Sequence, residues 1–430
     1  MLMFNRNDKH YIFKQSNDRI WNFFHDEKNG LCYSILTKRS TWSEPASLFK
    51  NANKDFYVDM DSDDVFHILF QDSKGNIFYS RLSSQGTETK PILNSKVPTQ
   101  YNKHLFLIPL RDDIHTFYVL YHNENMILAH QIIGNGSMGT PRVVDYVADK
   151  DHPYSIICDN AGNIDVVYQS SDGRHLQLGY KRYSREKKAW SEFTPITKFN
   201  GTCEFPQLIS DSSGMIHMSF QRCSNRQYEL VYMHRMPGKT TWSDSMVVHS
   251  SSYPFINSSI VNVDGKLSIF WIRDETTYYS YSVDAGSTWS KPARYNFPTG
   301  KQLFCMSYKS NASHEAGKIQ APCVSGSYVG GLMIAFYPDV LSASSASISA
   351  DELRSMLLDS LKYLKSSVQE LKQAETNTCD VLSKLTSSQQ ETEKELVKNS
   401  VKLNILENEI NKLKEQINNI MSIVSKSNSQ

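Results

Sequence analysis

Long apolar runs are missing from this chain. No stretch of ~18 apolar residues occurs, so no membrane-spanning helix is expected. The opening segment, Met1 to Lys9, lacks the basic region and apolar core of a secretory signal. An excess of one charge is missing too. The 46 Lys and Arg against 45 Asp and Glu leave a net charge of +1, which supplies no field for nucleic acid or an anionic surface. The cysteines Cys32, Cys158, Cys203, Cys223, Cys305, Cys323 and Cys379 form no C-x-x-C pair. An odd, scattered set suggests reduced thiols in a reducing compartment, not a disulfide framework or a zinc site. Together these absences point to the cytoplasm, with surface exposure by a route other than a signal peptide as the alternative. No G-x-x-x-x-G-K-[ST], H-E-x-x-H or G-x-S-x-G occurs, so no cofactor, metal or catalytic set is assigned.

Aromatics are plentiful, with 23 Tyr, 20 Phe and 6 Trp, as a strand-rich body requires. They recur with a period. Apolar segments ending in an aromatic and a polar residue begin at Ile20, Phe66, Thr116, Ile164, Ile216 and Leu267. Asp-rich turns such as Asp159-Asn160-Ala161-Gly162 and Asp211-Ser212-Ser213-Gly214 precede several of them. An alternating strand ending in a base follows, as at Arg81, Arg182 and Arg235. A Trp-Ser tag then closes the unit at Trp42, Trp190, Trp242 and Trp289, and Pro91 and Pro141 hold its place where Trp is absent. Four short strands at a period of about 50 residues suit a propeller blade, which buries its faces only by stacking in a ring. The fold class is therefore mainly β, a propeller over residues 1–338, and not a β-sandwich. Six units run from Asp8 to Pro298. Residues 301–338, completed by Leu2-Met3-Phe4, give a seventh blade, with six blades as the alternative.

Composition then changes. Residues 339–349 are a Ser/Ala linker, and Ser349-Ala350-Asp351-Glu352 is a capping box. A proline- and glycine-free segment, 350–426, carries an unbroken heptad seam. Its apolar members are Leu361, Leu364, Val368, Leu371, Leu382, Leu385, Leu396, Leu403, Leu406, Ile410, Leu413, Ile417, Ile420 and Val424. Polar residues interrupt it at Glu375, Thr378, Gln389, Thr392 and Asn399. Such a helix predicts a coiled-coil stalk about 110 Å long. Isoleucine at both a and d near its end places a trimer ahead of a dimer.

Ser282-Val283-Asp284-Ala285-Gly286-Ser287-Thr288-Trp289 reads S-x-D-x-G-x-T-W. This stretch resembles the Asp-box of sialidase-type (BNR-repeat) propellers and matches it at every fixed position, while the tags at Trp42, Trp190 and Trp242 keep only its end. The resemblance covers the propeller and not the stalk. It implies an outer turn between the third and fourth strands of a blade, held by Ser282, Asp284, Gly286 and Thr288, with Trp289 packing between sheets. It also implies that an active member would carry an F/Y-R-I-P motif with one of three carboxylate-binding arginines. No such motif occurs here.

Other polar residues read as structural. His67, His217 and His115, with Gln71, Gln169 and Gln221, are expected to hydrogen-bond within the strands. Asp61, Asp63, Asp64, Asp112 and Asp113 lie in turn-like stretches that favour aspartate for local backbone bonding. The resulting expectation is a non-enzymatic binding or assembly protein. Its propeller head would recognise a glycan or protein surface, without nucleic acid, and be displayed on a self-associating stalk. A diverged glycoside hydrolase is the second reading. An intracellular scaffold whose stalk binds a partner's helix is the third.

Overall fold

In the computed structural model the chain divides into two units, Met1–Ser344 and Ser345–Gln430. The structure describes residues 9–37, 40–96, 101–134, 137–273, 276–295, 304–315, 318–327 and 332–335 of the first unit. In the second it describes residues 369, 372, 383 and 386–416.

Strands build the first unit, and each repeated segment of the sequence falls in the second strand of an antiparallel sheet. The second sheet runs Ala52–Met60, Phe66–Asp72, Ile77–Ser83 and Gly86–Leu93, each strand beside the next. The fifth repeats the order with Thr202–Ser210, Ile216–Ser224, Gln227–Arg235 and Met246–Ser251. Second strands such as Phe66–Asp72 are buried along nearly their whole length, because neighbouring sheets cover both faces. Fourth strands such as Gly86–Leu93 are mostly exposed, and first strands of neighbouring sheets touch one another. The first strand is thus innermost.

Six buried clusters join the sheets in sequence. Phe23 and Phe66 pack the first sheet on the second, and Leu69 and Tyr118 the second on the third. Phe117 and Val166 continue to the fourth, Val167 and Phe220 to the fifth, and Tyr232 and Ile269 to the sixth. Ile12 and Phe270 bring the sixth back to the first. The ring closes, and the architecture is that of a β-propeller.

The closing segment differs from expectation. Residues 301–338 form no separate seventh sheet among the described residues. Phe304–Ser310 instead lies parallel to His10–Lys14, extending the first sheet inward, and Val324–Ser327 and Met333–Ile334 follow it. Ile319–Gln320 adds to the sixth sheet beside Ile256–Val263. The physical reason is the inner edge of His10–Lys14, whose five residues are all buried. An unpaired edge there would leave backbone groups without partners. Leu2, Met3 and Phe4, expected to complete a seventh blade, lie outside the described residues.

The cysteine reading is also corrected. Cys305 and Cys323 are joined as a disulfide, while Cys32, Cys158, Cys203 and Cys223 are free. The antiparallel register sets Cys305 opposite Ser325, two residues from Cys323, so the two cysteines are diagonal neighbours and not a cross-strand pair. Cys379 lies outside the described residues.

Of the expected nine-heptad helix, one helix of residues 386–416 is described, with every residue exposed. It carries Leu396, Leu403, Leu406, Ile410 and Leu413 of the seam. Leu361, Leu364, Val368, Leu371, Leu382, Leu385, Ile417, Ile420 and Val424 lie outside the described residues. No described helix is long and apolar enough to cross a membrane.

Candidate functional site

The innermost strands line a cavity of about 260 Å³. One wall is Ala52–Met60. Its alternation sends Phe56, Val58 and Met60 into the core and leaves Tyr57 and Asp59 half-buried on the other face. The facing wall is Phe304–Ser310, where Met306 and Tyr308 point inward and Lys309 does not. Lys309 Nζ donates to Asp59 Oδ1 at 2.7 Å, and Met60 N donates to the same oxygen at 2.7 Å. Behind them the Glu315 carboxylate accepts from Lys14 Nζ at 2.6 Å and from the Tyr308 hydroxyl at 2.7 Å. Asn311 Nδ2 donates to Asp61 O at 2.7 Å and to Asp64 Oδ1 at 2.8 Å, which fixes the loop beyond the strand.

Electrostatically the cavity is balanced. Each carboxylate in it is paired with a lysine. Burial, helped by the Asp59 charge, holds the Tyr57 phenol well above its ordinary pKa, so Tyr57 keeps a neutral hydroxyl, while its ring packs against Phe106 at 4.4 Å and edge-on to Tyr11 at 5.3 Å. The cavity therefore provides a mainly polar lining, in which the edge of Tyr57 stands beside the Lys309 donor and the Asp59 acceptor. Glycoside hydrolysis uses two carboxyl groups flanking the scissile bond, one of them as the acid, and here Asp59 and Glu315 each sit in an ion pair with a lysine. Among the described residues, no group of three or more His, Cys, Asp or Glu could hold a metal ion.

The residues singled out from the sequence lie elsewhere. Ser282–Trp289 turns between the third and fourth strands of the sixth sheet, Thr276–Ser282 and Ala293–Arg294. The Asp284 carboxylate accepts from Thr288 N at 2.9 Å, from Thr288 Oγ1 at 2.6 Å and from Ser282 Oγ at 2.7 Å. These bonds hold its pKa down at about 2. Gly286 has φ +90°, and a Cβ there would overlap the Tyr232 hydroxyl. Trp289 packs edge-on to Tyr232 at 5.1 Å. Trp42, Trp190, Trp242 and Trp289 each lie against the cluster that joins their sheet to the preceding one.

The histidines are strand residues. His67 bonds the Tyr79 hydroxyl at 2.8 Å and Asp61 at 2.9 Å, and His217 bonds the Tyr232 hydroxyl at 2.7 Å and Asp211 at 3.3 Å. His115 meets His130 at 2.9 Å. Gln169 reaches Cys203 O at 2.8 Å, and Gln221 accepts from Phe255 N at 2.7 Å, each linking its sheet to the next. The Gln71 side-chain amide has no hydrogen-bond partner among the described residues. Asp61 caps its turn through Asp63 N and Val65 N, both at 2.9 Å, while Asp64 accepts from Ser16. Asp112 faces Arg185 at 3.6 Å. Arg182 and Arg235 converge on the buried Asp165, Arg182 from the adjacent strand of the same fourth sheet and Arg235 from the fifth sheet, so only the second pair joins two sheets.

Sequence reasoning missed Tyr57, Asp59, Lys309, Glu315 and Lys14. The only local signal is charge at the end of an apolar strand, as in His10-Tyr11-Ile12-Phe13-Lys14.

No protein-family model matches the chain, and neither does any curated protein sequence. Solved structures do resemble it. A polysaccharide lyase, the PL25 ulvan lyase, aligns at 11% identity over 74% of this chain and 89% of its own, with a TM-score of 0.48. The BP39L lectin from Burkholderia pseudomallei aligns at 12% identity over 77% and 96%, also at 0.48. The Aleuria aurantia lectin, described as a six-bladed β-propeller with a fucose recognition mode, aligns at 11% over 69% and 99%, at 0.40. Likenesses this distant carry no argument, and the fold stands on the six joined sheets.

Proposed function

We propose that the protein is a non-enzymatic carbohydrate-binding propeller of six blades whose saccharide site is the inner cavity. The observation that carries this reading is Tyr57 beside the Asp59–Lys309 pair in a cavity of about 260 Å³. The aromatic edge meets the C–H surface of a sugar ring, and a paired acceptor and donor reach its hydroxyls. The cavity holds one or two sugar residues, so single-site binding is weak. The helix supplies the remedy. Exposed Leu396, Leu403, Leu406, Ile410 and Leu413 lie on one heptad seam, and self-association through it, as a trimer ahead of a dimer, makes binding multivalent. Avidity then exceeds single-site affinity by ~10²–10⁴.

The test is a glycan array followed by calorimetric titration of the best ligand into the full chain and into Tyr57→Ala and Asp59→Ala. Each substitution is expected to weaken binding about tenfold or more; Asp59→Ala should change the melting temperature little, while Tyr57→Ala, which also removes the ring contacts to Phe106 and Tyr11, should lower it. Array binding that survives both substitutions unchanged moves the site elsewhere. A chain that binds no glycan at all removes the reading. No observation in the cavity favours hydrolysis, because its carboxylates are occupied by lysines.

A further inference from the structure

The described helix, residues 386–416, has charges that no neighbour on the same helix uses. Side chains three or four residues apart meet on a helix surface. Lys402 has Lys398, Asn399, Ile405 and Leu406 at those spacings, and Glu407 has Leu403, Asn404, Ile410 and Asn411. Lys414 has Ile410, Asn411, Ile417 and Asn418. None of these sets contains an opposite charge, and all three side chains are exposed. Yet they flank the seam. With Leu396, Leu403 and Ile410 at a, and Leu406 and Leu413 at d, Lys402 and Glu409 stand at g, while Glu407 and Lys414 stand at e.

Resting on the self-association proposed above, we infer that the helix packs beside each neighbouring copy of itself in parallel and in register, whether two copies or three assemble. In that arrangement each g residue faces the e residue five positions on in the neighbouring helix. Lys402 then faces the second copy's Glu407, and Glu409 faces the second copy's Lys414. The two remaining g–e pairs of the described helix join Ser388 to Glu393 and Glu395 to Ser400. No like-charge pair arises along the helix. The seam agrees with this orientation. Asn399 at d meets its own counterpart only in a parallel, in-register pair, where two amides satisfy each other. The Thr392 hydroxyl, also at d, is already bonded to Ser388 O at 2.9 Å within its own helix. It therefore brings no unsatisfied donor into the seam.

The charges identify the orientation because residues five apart do not touch on one helix. Any coupling between positions 402 and 407 must pass between copies. The experiment is sedimentation velocity on the full chain over a concentration series, with Lys402→Glu, Glu407→Lys and the double variant. Circular dichroism confirms that helicity is retained. Each single substitution is expected to raise the dissociation constant about tenfold. The double variant, with the charges exchanged, should return it to near the starting value, and ~1 M salt should shrink the differences. Association that the single substitutions leave unchanged, or that the double variant fails to restore, overturns the parallel register while leaving self-association intact. A full chain that stays monomeric at every concentration overturns both.

Discussion

At the scale of single residues, His115, His130 and Trp190 show how a polar group is kept neutral inside the ring. The Trp190 indole N–H donates to His130 Nδ1 at 3.3 Å. His130 therefore carries its proton on Nε2 and donates it to His115 Nδ1 at 2.9 Å. Burial, with each other's and nearby arginine charge, pushes His130 down to about 3, and burial pushes His115 down to about 4. An unfolded chain takes up these protons near pH 6.5. Between that pH and about 4 the unfolded state binds protons that the folded state refuses, so stability falls as pH falls. Each histidine contributes a slope of about 1 kcal/mol per pH unit near pH 5. Urea denaturation at pH 5 and pH 6 should find this dependence reduced by about 2 kcal/mol per pH unit in His115→Gln/His130→Gln. A slope equal to that of the parent protein means that the two rings titrate in the folded state as freely as in the unfolded one.

At the scale of elements, the Trp-Ser tag explains itself once the sheets are in view. Ser43, Ser191, Ser243 and Ser290 each accept from a backbone N–H of the third strand at 3.0 Å, from Ile35, Arg182, His234 and Tyr281 in turn. Each returns its own N–H to the carbonyl of the same residue. Each hydroxyl also donates to the carbonyl of the residue after it. The serine thus clamps the chain to its third strand, and the tryptophan beside it faces the preceding sheet. Removing a clamp by Ser243→Ala or Ser290→Ala is expected to cost about 1 kcal/mol each, by chemical denaturation. The two lie in different sheets, so their losses should add. A double variant as stable as the parent would show that water replaces the hydroxyls without loss.

The Trp-Ser tags were legible in the sequence because they recur at the repeat period, while the serine bonds that make them clamps appear only once the third strands are in place beside them. Equally legible were the second strands and the turns on Asp159, Asp211 and Asp284. The cavity was not legible. Asp59 and Lys309 stand 250 residues apart, and Lys14 and Glu315 stand 301 apart. Their meeting follows from ring closure, which no local pattern encodes.

At the scale of the whole molecule, that closure is the element on which the rest depends. An open row of sheets would expose one face of the first sheet and one of the sixth. Ile12, Ile20, Val261, Phe270 and Met306 would then lie in water instead of in one cluster. The parallel pairing of His10–Lys14 with Phe304–Ser310 joins the two ends of the ring. At its end Lys14 and Glu315, with side chains 3% and 1% exposed, form an ion pair completed by the Tyr308 hydroxyl. A buried pair gains little over an apolar pair of the same shape, yet breaking it strands a charge. Glu315→Leu should therefore destabilise the fold by about 3–5 kcal/mol, with Asp18, 3.2 Å from Lys14, holding the value toward the lower end. Lys14→Met/Glu315→Leu should recover most of that loss, because no buried charge is then left unpaired and the half-exposed Asp18 is met by water. If the double variant is no more stable than Glu315→Leu alone, the loss is that of the pair's own attraction and not of a stranded charge. The latch would then be electrostatic, where the packing of the first sheet on the sixth implies one that is apolar with a neutralised charge at its edge.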